Sequence, residues 1–261
     1  MTRSSLLVFK PHWSSRHKDI WSKWVSYASF GRYGGVSSPP YDTLNLSFSV
    51  GDQHEDVAAN LDIVKRHMGA SQILMAKQVH GTDIFNPAGQ DFSHPVVSVG
   101  SYDGLVTDIS GSALLIKHAD CQSVAFFDPE HKVIANAHAG WRGLTGGILQ
   151  NTVKEMQATY SCNPSMLMAV ISPSLGPCCF EFRGWKTELP EYFHEFMENS
   201  CYFNAWRASH RVLTDLGLKD ENIFTIRICS RCSGLHFSYR RDRITGRCAT
   251  LIMLKRKASS L

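Results

Sequence analysis

Apolar and polar residues change rhythm repeatedly along this 261-residue chain, and each rhythm predicts a different element. Over 52–67 the apolar residues Val57, Leu61 and Val64 recur three or four apart, the period of one helical face. Asp52 stands where a capping side chain would, Glu55 follows three residues on, and Gly69 offers a left-handed stop. The stretch 146–160 repeats the pattern with Ile148, Val153 and Met156 inward, and two more helices are expected over 189–200 and 205–216, the second closed by Gly217. Short, nearly continuous apolar runs predict strands at 73–79, 105–107, 112–117, 124–129, 132–137, 166–171, 223–229 and 250–254.

The segment 1–10 reads as a first strand, because its apolar run is too short for a signal peptide and no cleavage pattern follows. Turn residues mark 31–40 as a loop, and the polar 255–261 reads as a frayed tail. Strands outnumber helices and do not alternate strictly with them. The expected class is therefore α+β, one domain over 1–261 with a large mixed β-sheet core flanked by helices. No repeat and no Pro/Gly/Ser-rich linker divides the chain.

Composition narrows the partners. Apolar residues make up 43%, enough for a sizeable core. The net charge of +4, from 27 basic and 23 acidic residues, is too small and too scattered to predict a nucleic-acid partner. No apolar run reaches the length of a membrane span. Eight cysteines without a secretory signal fit free thiols in a reducing compartment, so the cytoplasm is expected, with the chain as a monomer acting on small molecules.

Three residues carry the candidate chemistry: His80, Cys121 and His138, spaced by 41 and then 17 positions. Two imidazoles and a thiol suit zinc, and three protein ligands leave a fourth position open, as catalytic sites require. Those spacings are too long for a zinc finger and suit ligands gathered by a folded core at the ends of strands. With twelve histidines and eight cysteines in the chain, packing or surface roles remain the alternative. Neighbouring glycines and alanines favour the metal, since they let backbone approach a bound group.

Arg32, Asn45 and Arg142 form a polar set suited to a phosphate or other oxyanion. Arg240 and Arg241 belong either with them or to ordinary surface ion pairs. Cys229 and Cys232 form a single C-x-x-C without a second pair nearby, which reads as structural thiols in a strand-to-loop turn more readily than as a zinc knuckle, and the adjacent Cys178 and Cys179 read as a turn with buried thiols. No phosphate-binding or dinucleotide-binding glycine pattern occurs.

Several stretches occur in an ordered series: 32–37, Leu44-Asn45-Leu46 through Val50-Gly51-Asp52, Gln78-Val79-His80-Gly81-Thr82, Asp103-Gly104-Leu105-Val106-Thr107, His118-Ala119-Asp120-Cys121, His138-Ala139-Gly140-Trp141-Arg142-Gly143, 171–179 and 237–242. In these, over about residues 28–254, the chain resembles the YfiH-type laccase-domain family, also described as purine nucleoside phosphorylases. The resemblance implies zinc held by His80, Cys121 and His138. It also implies phosphorolysis of adenosine, inosine, guanosine or methylthioadenosine to base and ribose 1-phosphate, with deamination of adenosine to inosine.

Under that resemblance a zinc-activated water serves deamination. Asp120, or the adjacent His118, is the expected proton carrier, and Arg32, Asn45 and Arg142 are the expected phosphate or ribose contacts. Gln122 and Ser123 depart from the small or apolar residue and proline that the family often carries there, which bears on the pocket wall. Three alternatives remain. One is a cysteine hydrolase that edits peptidoglycan precursors, with Cys121 as nucleophile and His138 or His80 as base. Another is a copper polyphenol oxidase, against which stands the absence of any His-x-His pair. The third is a binding protein with structural zinc.

Overall fold

The computed structural model, which describes residues 5–87, 92 and 94–256, has two six-stranded mixed β-sheets packed face to face with helices outside. The first sheet runs in space β1 (Val8–Phe9), β2 (Val25–Phe30), β14 (Cys248–Leu254), β7 (Ser112–His118), β3 (Gln72–Lys77), β5 (Val96–Ser101). The second runs β13 (Ile223–Thr225), β10 (Met168–Ile171), β8 (Gln122–Asp128), β9 (Val133–Ala139), β6 (Gly104–Thr107), β4 (Ile84–Phe85). A small ribbon pairs β11 (Met197–Glu198) with β12 (Tyr202–Phe203). The helices are α1 (Ser15–Trp24), α2 (His54–Met68), α3 (Trp141–Gly146), α4 (Ile148–Tyr160), α5 (Trp185–Glu188), α6 (Ala205–Asp215), α7 (Ser230–Ser233) and α8 (Tyr239–Asp242).

Side-chain alternation along the strands builds three apolar layers. Between the sheets, Leu114, Ile116 and Ile252 meet Phe127, Ile134 and Val170. The outer face of the first sheet, through Ala113, Leu115 and Leu251, is covered by Val57, Leu61 and Val64 of α2. The outer face of the second, through Val124, Phe126 and Ala135, is covered by α4 and α6. Strands covered on both faces carry near-continuous apolar runs, which is why the pattern revealed them. Each fully buried Phe or Leu contributes roughly 1.5–3 kcal/mol.

One end of the inter-sheet layer is polar. The face of β9 that begins with Ile134 continues with Asn136 and His138, opposite His118 of β7 and Thr250 of β14, and all four polar residues are buried. Asn136 Nδ2 donates to the carbonyls of Leu114 (3.1 Å) and Thr250 (2.9 Å), while its Oδ1 accepts from Ser123 Oγ (2.6 Å). One amide thus ties both sheets together just below the site.

The α+β class and the mixed-sheet core stand, with the core divided into two sheets. Several elements differ from expectation. Asp52 does not cap its helix, which starts at His54; its carboxylate accepts from Ser37 Oγ and Asn45 Nδ2 instead. Gly69 does close that helix, in the left-handed conformation. The expected helix over 189–200 is a 3₁₀ segment, Glu191–Phe196, that leads into β11. Its buried rings, Phe193 and Phe196, lie three apart, which suits the tighter helix, and Asn199 and Ser200 at positive φ turn the chain into β12. The sequence reading had no strand at β2 or β5 and no helix at α1. Residues 1–4 of the expected first strand and 257–261 of the expected tail lie outside the described residues.

Replacing Asn136 by Ala removes its bonds to two carbonyls of the facing sheet and leaves the Ser123 hydroxyl without its acceptor. The expected outcome is a loss of about 1–3 kcal/mol in urea-unfolding stability. An unchanged unfolding midpoint would mean that the amide does not hold the sheets together.

Candidate active site and metal centre

The three candidate ligands converge from strand ends. His138 lies near the end of β9, Cys121 immediately precedes β8, and His80 follows β3 by three residues. Their ligating atoms all lie within 4.8 Å of one another, and the His80 and His138 rings stand 4.9 Å apart at 69°. His138 is buried, Cys121 is half-buried and His80 is exposed, so the group opens to one side.

Asp103, at the foot of β6, organises this trio. Its Oδ1 accepts from His138 Nδ1 (2.7 Å) and from the His80 N–H (3.0 Å), and its Oδ2 accepts from the N–H groups of Val79 (3.0 Å) and Gly81 (2.8 Å). The bond to Nδ1 fixes the imidazole tautomer and leaves Nε2 for a metal, the usual outer-shell arrangement of a ligating histidine. The three backbone bonds hold His80 at φ +61°, a left-handed conformation uncommon outside glycine. Burial opposes the Asp103 charge, but the His138 ring and the loop N–H groups outweigh it and hold the carboxyl below its ordinary range.

Gly140 clears the space beside the trio. A Cβ there would stand 3.0 Å from both Cys121 Sγ and His80 Cδ2. Burial alone would raise the Cys121 thiol, but the charge of His138 and hydrogen bonds from His138 and His80 bring it down to about 6. Burial would likewise lower His138, but the Cys121 thiolate and Asp103 push it up to about 9. A preformed thiolate, two imidazoles and a gap that any side chain would fill are the donor set and the room that a zinc-like ion needs.

The trio lines a cavity of about 560 Å³. Trp141, Leu144, Leu175 and Phe180 give it apolar walls, while Lys117, Arg240 and Arg247 bring cations. Burial and the Arg247 guanidinium pull the Lys117 ammonium down to about 8, with Asp103 partly opposing. Gln122, also on the wall, accepts from Ser209 Oγ through Oε1 (2.5 Å), while its buried Nε2 finds no protein partner.

Asp120 reaches the cavity, yet both its oxygens are engaged, by Ser230 Oγ (2.6 Å) and the Arg240 N–H (2.6 Å). His118 is buried against Thr250 Oγ1 (3.0 Å), and burial and the neighbouring His236 and His138 pull its pKa down to about 3. The expected phosphate contacts are not on the cavity wall. Arg32 pairs with Asp42 (3.0 Å), Asn45 is buried and bonded to Ser47, Asp52 and the Arg247 N–H, and Arg142 is exposed over the Trp141 ring. Local partners claimed these side chains. Arg241 pairs with Asp242 and braces loop carbonyls, while Arg240 does line the cavity. Asp103, Lys117 and Arg247 went unassigned in the sequence. A search for a carboxylate to orient a metal-bound histidine would have singled out Asp103.

Residues 26–255 match the model of the multi-copper polyphenol oxidoreductase laccase family. The chain belongs to that family. It is 35% identical over 238 residues to a Streptomyces griseus purine nucleoside phosphorylase, covering 87% of this chain and 94% of that one. It is 32% identical over 247 residues to the Escherichia coli purine nucleoside phosphorylase YfiH, covering 89% and 95%. Among solved structures, the Bacillus licheniformis hypothetical protein YfiH superposes with a TM-score of 0.82 at 26% identity over 97% of both chains. YlmD from Geobacillus stearothermophilus gives 0.78 at 30% identity over 89% and 92%.

If Asp103 orients the ligands of this laccase-family site, Asp103→Asn lowers metal affinity roughly 10–100-fold. Competition against a chromophoric chelator measures it. Wild-type affinity in the variant would remove Asp103 from the metal centre.

Proposed function

We propose that this chain is a zinc-dependent purine nucleoside enzyme. On this reading it cleaves adenosine, inosine, guanosine or methylthioadenosine with phosphate to base and ribose 1-phosphate, and also deaminates adenosine to inosine. The observation that carries the reading is that the His80–Cys121–His138 trio and the Lys117–Arg247 cations share one cavity of nucleoside size. The names of the curated relatives agree with it.

His80, Cys121 and His138 would hold the ion, which supplies Lewis acidity at an open coordination position. Trp141 and Phe180 offer faces for the purine, and the unpaired Gln122 Nε2 offers it a hydrogen bond. Phosphate sits best between Lys117 and Arg247, since an anion there relieves the repulsion of two half-buried cations. Asp120 is the one carboxylate among the described lining residues, and proton transfer falls to it. His118, held neutral, serves packing and the Thr250 hydrogen bond instead. The eight free thiols suit the cytoplasm, and no described helix is long and apolar enough to cross a membrane.

A second reading has its own observation: Asp103, His138 and Cys121 also stand in the order of a thiol-hydrolase triad, with the thiol already lowered to about 6. Alkylation separates the two. A ligand thiol is protected by zinc and reacts only after chelation, whereas a nucleophile reacts in the active enzyme. Copper, suggested by the family's name, finds no His-x-His pair in the chain.

The deciding measurement is chromatography of adenosine incubated with purified protein, with and without phosphate. Adenine and ribose 1-phosphate are expected only with phosphate, and inosine without it. Cys121→Ala should abolish both activities along with zinc binding at this trio; full activity in a variant whose trio holds no metal would sink the metal mechanism. Lys117 is charged below about pH 8 and loses its proton above it, so phosphate affinity should weaken as pH rises through that value. Lys117→Met should raise KM for phosphate at least tenfold and leave deamination intact, and equal damage to both would move phosphate elsewhere.

A further inference from the structure

Four cysteines that the sequence scatters over two distant segments meet on the far side of the cavity wall. Cys178 and Cys179 lie in the loop after β10, and Cys229 and Cys232 flank the start and body of α7. The two segments are locked in register. Ser174 bridges Cys229 in parallel fashion, the Ser174 N–H donates to the Ile228 carbonyl (3.2 Å), and the Ser230 N–H donates to the Ser174 carbonyl (2.9 Å). The turn of α7 then brings positions 229 and 232 to one side, as three-residue spacing does on a helix. On the other segment, the N–H groups of Cys179 and Phe180 both donate to the Gly176 carbonyl and curl the vicinal pair toward α7.

All four sulfurs lie within 4.8 Å of one another, with Cys178 and Cys179 at 3.7 and 3.2 Å from Cys232. Sulfurs placed about 2.3 Å from a tetrahedral zinc are separated by about 3.8 Å. The group is thus close to coordination spacing. Both separations from Cys232 exceed the disulfide bond length of about 2.05 Å, and all four thiols are free. Positive groups face the cluster: Arg231 Nη1 and the Gly176 N–H donate to Cys179 Sγ and Cys229 Sγ, each at 3.4 Å. The charged guanidinium at Cys179 favours the thiolate there, the form that binds metal.

We propose that Cys178, Cys179, Cys229 and Cys232 form a second, sulfur-only zinc site, closed and structural, distinct from the His80–Cys121–His138 centre. Four thiolates complete a tetrahedron and leave no position for substrate. The C-x-x-C of 229–232 supplies half a zinc knuckle, and the vicinal pair supplies the other half from fifty residues upstream. The site's task follows from what the two segments carry. Leu175 and Phe180 from one, and Arg240 shortly beyond the other, line the cavity, while Ser230 and Arg240 hold Asp120. A zinc here staples the loops that shape the substrate chamber. The assignment stands on the cluster alone and does not depend on the reaction performed at the first centre.

Metal analysis of the full-length chain, purified under reducing conditions and equilibrated with zinc, tests it. The expected contents are two zinc per wild-type chain, one in His80→Ala/Cys121→Ala and one in Cys229→Ser/Cys232→Ser. Cobalt substituted into the His80→Ala/Cys121→Ala variant should give a tetrahedral spectrum with an intense sulfur-to-cobalt charge-transfer band, to which four thiolates contribute. That variant retains all four cluster cysteines, so it decides the matter even if the serine variant fails to fold. No metal in it, or cobalt bound without thiolate bands, overturns the proposal. Finding the four cysteines as disulfides in the freshly purified chain overturns it as well. A one-zinc wild type whose metal persists in His80→Ala/Cys121→Ala would support this site and count against the first centre instead.

Discussion

Asp103 is fully buried at the foot of β6 and gathers four hydrogen bonds into its two oxygens. An ionised carboxylate in that position is costly unless every lone pair is used. Three backbone N–H groups and one imidazole use them. The same bonds do two jobs for the site. They orient His138 so that Nε2 faces the other ligands, and they hold the loop after β3 in the left-handed turn that presents His80. Without that carboxylate the loop N–H groups lose their partners and His138 loses its fixed tautomer. Two of the three candidate ligands therefore depend on a residue that is not itself one of them.

The sandwich explains why the ligands meet at all. Neighbouring strands β8 and β9 are antiparallel, and Ser123 pairs with His138, so Cys121 just before β8 falls beside the end of β9. The parity that sends Ile134 into the apolar layer between the sheets also sends Asn136 and His138 to the same side. Toward the cavity that layer changes from Leu, Ile and Phe to Asn, His, Ser and Thr; Asn136 bonds across the sheets, while Ser123, His118 and Thr250 find side-chain partners within their own sheets. A rigid, cross-braced polar end is what a site needs if its ligands are to be held in place before a metal arrives.

Much of this was legible in the chain, for identifiable reasons. Strands buried on both faces declared themselves through continuous apolar runs, and the small-residue contexts of His80, Cys121 and His138 include Gly140, where a Cβ would crowd Cys121 and His80. What the pattern did not reveal is pairing over distance. Nothing in an apolar run says to which of two stacked sheets it belongs. Arg32 and Arg142 have the right chemistry for phosphate, but Asp42 and the Trp141 ring occupy them. Lys117, one of the cations that do line the cavity, ends the apolar run that predicted a strand over 112–117, and nothing in that run marks it for a site. The four clustered cysteines read as two unremarkable pairs, because only the parallel bridge between Ser174 and Cys229 brings them together.

The remaining tension is between ligand and nucleophile at Cys121, since a lowered thiol beside an imidazole held by a carboxylate serves either role. His80 breaks the tie. A thiol hydrolase needs one imidazole, oriented by one carboxylate, and a second imidazole within 4.8 Å of the same sulfur adds nothing to that chemistry. Here three of the four bonds to Asp103 are spent on placing that second ring, in a backbone conformation that a histidine rarely adopts. Gly140 meanwhile keeps the space between ring and sulfur free of any side chain. A second imidazole brought to a thiol in a left-handed turn, with the space beside them kept clear, suits a metal ion better than a lone nucleophile, given this donor set.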